Sequence, residues 1–143
     1  MRAPPLFYLY VVATVLLAPF VAWAEIRRLR KQGMPALRAH ERMGHASQPR
    51  SGSGYLIWFH AASVGESLSV LALIAKMGEL LPRAPFLITT GTPTSAQLVA
   101  DRMPPRTVHH FAPLDARGPP SRFLRHWPPA AALLLDSALW PRQ

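Results

Sequence analysis

Apolar positions fall into one long block and then a series of short ones. The block is Leu6 to Ala24, LFYLYVVATVLLAPFVAWA, nineteen positions without a charge. As a helix it would extend about 28 Å, close to the roughly 30 Å hydrocarbon thickness of a bilayer. Pro19 predicts either a kink in a membrane helix or the end of a shorter interfacial one. Tyr8, Tyr10 and Trp23 lie toward the ends, where amphipathic rings suit the headgroup layer. Two other readings fit the same block: a buried helix, and a cleaved signal peptide, since AWA before Glu25 has the small-x-small pattern.

Past residue 31 the pattern changes. QGMPALRAHERMGH predicts a short helix from Ala36 to Met43 stopped by Gly44, and SQPRSGSG a flexible loop. A rhythm of short apolar runs follows. YLIWFHA (55–61), PFLITTG (85–91), TVHHFAP (107–113) and AALLLDSALW (131–140) read as strands. SVGESLSVLALIAKMGELL (63–81) carries Leu68, Leu71, Ala72, Ala75 and Met77 to Leu80 at helical spacing and ends at Pro82. TPTSAQLVADRM (92–103) reads as a helix with Thr92 as N-cap and Pro93 in its first turn. DARGPPSRFLRHW (115–127) holds a short helix after its prolines. Strand and helix alternating every 25 to 30 residues is the signature of parallel βαβ units. Nearly continuous apolar strands predict a sheet covered on both faces. The fold class expected is therefore α/β, a Rossmann-like parallel sheet preceded by an N-terminal membrane-anchor helix. The expected domains are an anchor with a basic juxtamembrane segment (1–31), a linker with a short helix (32–54) and a Rossmann-like domain (55–143).

Charge sharpens the reading of the long block. Sixteen Lys and Arg face seven Asp and Glu, a formal charge of +9. Arg27, Arg28, Arg30 and Lys31 directly follow the apolar run. Positive charge there favours a retained anchor with the remainder cytoplasmic, and it attracts anionic lipid. Elsewhere the bases are dispersed and no recognition motif accompanies them, so no nucleic-acid partner is expected. Without cysteine, disulfides, thiolate metal sites and cysteine nucleophiles are excluded. HExxH, GxGxxG, the P-loop and G-x-S-x-G are absent, and His109 and His110 alternate faces of one strand. No metal site is expected.

In open α/β sheets ligands bind beyond the carboxyl ends of the strands. Three segments converge there: HAASVGE after the first strand, TTGTPTS after the second, and DSALWP after the fourth. Each is rich in small or hydroxyl residues. Glu66 has two readings from its position. Ser63-Val64-Gly65-Glu66 is a capping box and an acid suits the first helical turn; the same carboxylate at the mouth of the sheet is placed for general-base chemistry. His60 reads as a packed residue at a strand end.

The segments ERMG (41–44), HAASVGE (60–66), TTGTPTS (89–95), VHHFAPLD (108–115), RFLRHWPP (122–129) and DSALWP (136–141) together resemble, in order and spacing, the amino-terminal half of the 3-deoxy-D-manno-octulosonic acid (Kdo) transferases of lipopolysaccharide assembly. The resemblance implies an inverting glycosyltransferase of the two-domain GT-B type. Such an enzyme moves Kdo from CMP-Kdo to a lipid A precursor at the cytoplasmic face of the inner membrane, with no metal or other cofactor in the transfer and residues 6–24 as the anchor. It assigns Glu66 as general base and Asp136 as a transition-state stabiliser, with Ser63, Gly65, Thr90, Thr92, Thr94 and Ser95 shaping the acceptor cleft. Asp136 stands where the family carries Glu, Ala138 where it carries a second acid, and Arg142 where it carries Asn. The resemblance reaches Gln143 before the expected CMP-sugar domain, so the chain is expected to be an amino-terminal part of the enzyme. The alternative is a non-catalytic, membrane-tethered module that binds lipid A precursor or a partner chain.

Overall fold

The computed structural model describes residues 4–50, 54–114 and 118–135. Helix α1 runs from Pro5 to Lys31, and the short α2, Ala36–Ala39, passes into a 3-10 turn, His40–Met43. The strands are β1 (Ile57–Ala61), β2 (Phe86–Thr90), β3 (Thr107–Phe111) and β4 (Ala131–Leu135). Between them lie α3 (Val64–Leu80), α4 (Pro93–Asp101) and α5 (Pro119–His126). The sheet is wholly parallel with strand order β3-β2-β1-β4, so the four strands and the intervening helices form the expected α/β unit.

Local chemistry explains the element boundaries. Ser63 Oγ accepts the Glu66 amide at 3.2 Å and Thr92 Oγ1 accepts the Ser95 amide at 3.2 Å. Each thereby satisfies one of the orphan donors of a helical first turn. Helix α5 starts at its prolines rather than after them, because proline's missing N–H costs nothing in the first turn. Gly44 stops the 3-10 turn at φ 80°, and a Cβ there would meet the Pro119 carbonyl oxygen. Both backbone conformation and space therefore demand glycine.

Alternation along the strands divides the core. Phe59, Ala61, Phe86 and Ile88 pack with Val70, Leu71, Ile74 and Val99 of α3 and α4. On the other face Leu56 and Leu87 pack with Phe123 and Trp127 at α5. The central strand β2 is buried along its whole length. Covering of both faces does not extend to β4: Leu133 and Leu134 on this edge strand are exposed. The buried stripe of α3 is also rotated from the one the spacing predicted. Ser67, Val70, Leu71 and Ile74 face inward, while Leu68 and Leu73 are exposed. Leucine and alanine occur all around this helix, so periodicity alone left its rotation open.

Helix α1 is continuous through Pro19. Of its most apolar 18-residue window 6% is buried, so it is not a core helix of the described structure. It is long and apolar enough to cross a membrane. Its last turns join the folded unit: Leu29 is fully buried with Ala39, Ala96 and Phe111, and Glu25 pairs with Arg42 at 3.3 Å.

Candidate active site

Strands β1, β2 and β3 lie to one side in sequence order while β4 pairs on the other flank of β1. The connection direction therefore reverses between β1 and β4, and at such a switch point an open sheet leaves a crevice beyond its carboxyl edge. The β1–α3 turn stands there. Ala62, Ser63, Val64 and Gly65 are exposed and Glu66 is half-buried. The Glu66 carboxylate accepts the Ala62 amide through Oε2 at 2.8 Å. Together with the Ser63 cap, this pins the turn from both ends. A Cβ built on Gly65 meets nothing within 4 Å, so a ligand can approach the backbone closely.

The β2–α4 turn stands beside it, since β1 and β2 pair from Ile57↔Phe86 to His60↔Thr89. Thr92 and Thr94 are exposed. Thr90 and Ser95 are buried, so these two shape the rim from beneath rather than facing outward. Asp136 lies outside the described residues; the last described residue of β4, Leu135, is in register with Ala61.

Under the rim are two polar clusters that motif reading did not assemble. In the first, Thr89 Oγ1 is shared by Trp58 Nε1 at 3.0 Å and His60 Nδ1 at 2.9 Å, which fixes the His60 ring at the end of β1. In the second, the Glu41 carboxylate, 1% exposed, accepts from Arg38 at 2.6 Å, from the Phe111 amide at 2.8 Å and from the Ser47 hydroxyl. Burial nevertheless holds its pKa above the usual carboxylate value, against the lowering effect of Ser47, Arg38 and the Phe111 amide. Arg38 also donates to His109 Nδ1 at 2.5 Å. The proton of that imidazole is therefore on Nε2, which donates to Thr90 Oγ1 at 2.7 Å. Burial and the Arg38 charge push His109 down to about 3, so the ring is neutral. Glu41 belongs to the ERMG segment, but only folding brings it against β3, 70 residues away. His110 points to the opposite face, edge-on to Phe123 with centroids 5.0 Å apart. The adjacent histidines thus serve different cores.

Two cavities lie elsewhere. One of about 600 Å³ is lined by Arg50, Arg83, Arg106 and Trp127 at the amino edge of the strands, away from Glu66. The other, about 750 Å³, runs along α1 to Met43, Leu114 and Pro119.

Comparison with known proteins adds the chemical context. Residues 37–143 match the family model described as 3-deoxy-D-manno-octulosonic-acid transferase (kdotransferase). The chain is similar to the probable mitochondrial 3-deoxy-D-manno-octulosonic acid transferase of Arabidopsis thaliana, 35% identical over 136 residues, covering 94% of this chain and 30% of that protein. It is also similar to the 3-deoxy-D-manno-octulosonic acid transferase of Rickettsia prowazekii, 40% identical over 95 residues, covering 66% of this chain and 21% of that one. The Haemophilus influenzae enzyme of the same name is 31% identical over 85 residues, covering 59% and 20%. The chain thus spans between a fifth and a third of the length of these relatives. No solved structure matches it.

Proposed function

The chain belongs to the 3-deoxy-D-manno-octulosonic-acid transferase family, and from that premise we propose that residues 55–143 form the acceptor-handling half of an inverting GT-B glycosyltransferase. Its reaction moves Kdo from CMP-Kdo to a lipid A precursor. Helix α1 anchors it in the inner membrane with the sheet on the cytoplasmic face, and the donor is held by a second domain of the enzyme. The observation that carries this reading is a half-buried carboxylate, Glu66, on a pinned turn at the switch point of a parallel sheet.

In the proposed step an acceptor hydroxyl lies above the β1–α3 turn. Glu66 takes its proton as the hydroxyl oxygen bonds to the anomeric carbon of Kdo. The bond from that carbon to the CMP phosphate oxygen breaks on the opposite face and CMP departs with the electron pair, which inverts the centre. Accepting the Ala62 amide at 2.8 Å fixes the direction of the base. Thr92 and Thr94 present hydroxyls beside it, and Asp136 supports the developing positive charge on the sugar. No metal is assigned to the step.

One observation favours the non-catalytic alternative: the Glu66 bond to Ala62 is a complete structural role by itself. The two readings separate in a transfer assay with CMP-Kdo and a tetra-acylated acceptor, run with and without a supplied carboxyl-terminal half. Glu66→Gln retains an oxygen that accepts the Ala62 amide but is no base. On the catalytic reading it lowers turnover about 10²- to 10⁴-fold with unchanged thermal stability. Unchanged turnover leaves Glu66 as a cap alone.

A further inference from the structure

The cavity of about 600 Å³ at the amino edge of the strands is lined by three arginines from three segments. Arg50 lies ahead of β1, Arg83 in the turn before β2 and Arg106 directly before β3. Backbone bonds hold these segments together. The Ile57 amide donates to the Pro85 carbonyl at 3.1 Å, and the Phe86 amide to the Arg106 carbonyl at 2.9 Å. No ion pair among the described residues neutralises any of the three guanidinium groups. Leu56, Val108 and Trp127 line the same space, and the lining as a whole is largely apolar.

The arginines are not equivalent. Arg106 is already engaged: it donates to the carbonyls of Leu81 at 2.7 Å, Ala84 at 2.8 Å and Gly78 at 2.8 Å. It does so from a left-handed φ of 59°, uncommon for a side chain of this size, so its charge is held in place. Arg50 donates through Nη2 to the Gly54 carbonyl at 2.8 Å, but its Nε is buried and has no partner among the described residues. Trp127 is 2% exposed and its Nε1 is likewise buried without a partner among them. Arg83 is exposed and enters no hydrogen bond or ion pair with the described residues. Buried donors without an acceptor are rare in folded proteins. Two of them on one cavity, beside an uncommitted guanidinium, call for an acceptor from outside.

Donors from three segments, with uncompensated positive charge around them, suit a tetrahedral phosphate with three free oxygens better than a planar carboxylate. The space is far larger than a bare phosphate fills and has the size of a small-molecule site. We propose that this cavity binds a phosphomonoester of a small apolar alcohol. Its phosphate accepts from Arg83, the Arg50 Nε and the Trp127 Nε1, and its body lies against Leu56 and Val108. Arg106 supplies charge rather than a hydrogen bond. The site is at the end of the strands opposite Glu66, so it is separate from the acceptor cleft and independent of the base chemistry proposed there.

Titration calorimetry of the full chain in neutral detergent micelles tests this, with phenyl phosphate as the probe. Saturable binding to one site is expected, with a Kd below about 1 mM. Benzoate keeps the ring but is planar, and inorganic phosphate lacks the body; each should bind roughly tenfold more weakly. Arg83→Gln removes a donor that holds nothing else and should weaken phenyl phosphate at least about tenfold, the usual weight of a hydrogen bond to a charged group. Trp127→Phe keeps the buried ring and removes Nε1; it should weaken binding in the same direction, with a melting curve confirming that it folds. Arg102→Gln is the control, since Arg102 is exposed beyond α4, on the other face of the sheet from α5. It removes the same charge and should leave binding unchanged. No saturable heat up to about 10 mM phenyl phosphate overturns the proposal. So does an equal loss in Arg83→Gln and Arg102→Gln, which would mean that the net charge of the chain attracts anions without a site. Benzoate binding as tightly as phenyl phosphate would overturn the phosphate assignment. Glu66→Gln should not change the titration, so failure here and failure of the base assignment are separate outcomes.

Discussion

The Glu66 carboxylate and the Ala62 amide are 2.8 Å apart, so the acid at the switch point is also the clasp of its own turn. Replacing it tests two functions that substitution chemistry can separate. Glu66→Ala is expected to lower stability by about 0.5–2 kcal/mol, the usual cost of a lost helix cap. Glu66→Gln is expected to hold within about 0.5 kcal/mol. Thermal denaturation of both variants checks this; equal losses would mean the carboxylate charge, not its geometry, holds the turn.

Glu41 has a different weight. Its removal would strand the Phe111 amide and leave Arg38, which also donates to His109, without its counter-charge. Glu41→Ala is expected to cost about 3–5 kcal/mol, the range for removing one partner of a buried pair. Urea denaturation reads it directly. A loss below about 1 kcal/mol would show that the Glu41 cluster does not hold the 36–47 segment to β3.

The buried histidines set an acid limit. His109 is pushed down to about 3 and His110 to about 4, both chiefly by burial. Unfolding restores values near 6.5, so below that pH the unfolded chain binds more protons and stability falls with falling pH. The stabilisation is fully present above pH 6.5 and is lost progressively toward pH 4 and below. Glu41, raised in the folded state, works in the opposite sense and offsets part of the loss. The expected net drop from pH 7 to pH 4 is on the order of several kcal/mol. His110→Phe should flatten the profile, because the charge that must be avoided is gone; an unchanged slope would remove His110 from the account.

Gly44→Ala combines a positive φ of 80° with a Cβ directed 2.2 Å from the Pro119 carbonyl oxygen. Strain and overpacking together predict a loss of about 2–4 kcal/mol. Gly65→Ala meets open space and should change stability by less than about 1 kcal/mol. Any effect of Gly65→Ala on transfer would then report crowding of the acceptor rather than folding. Parallel melting curves of the two variants decide the comparison.

Leu29→Ala probes the junction of α1 with the folded unit. Leu29 is fully buried among Ala39, Ala96 and Phe111, so truncation should cost about 2–5 kcal/mol. Limited proteolysis after Lys31 should accelerate in parallel. Cleavage at the wild-type rate would mean that α1 is not held through this contact.

The Ser63 N-cap, the Thr92–Pro93 helix start, the Gly44 stop and the strands at 57, 86, 107 and 131 were legible in the sequence, while the Glu66 side chain closes on the Ala62 amide rather than on the Ser63 amide of a capping box. Each is decided by a few neighbouring residues: a hydroxyl beside an orphan amide, a ring that fixes φ, an apolar run of strand length. So was the position of Glu66 at a strand's carboxyl end, which follows from βαβ order alone. The motif segments carried the family. What tertiary structure decided has no local origin. The placement of β4 beside β1 creates the switch point, and strand order depends on which edges meet after collapse. The rotation of α3 toward Ser67 and Ile74 rather than Leu68 and Ala75 was a choice between nearly equal apolar faces, settled by packing on the sheet. Glu41, Arg38, His109 and Thr90 gather from three segments because a buried carboxylate and guanidinium must find each other and every polar neighbour within reach, and only the folded chain brings those partners together.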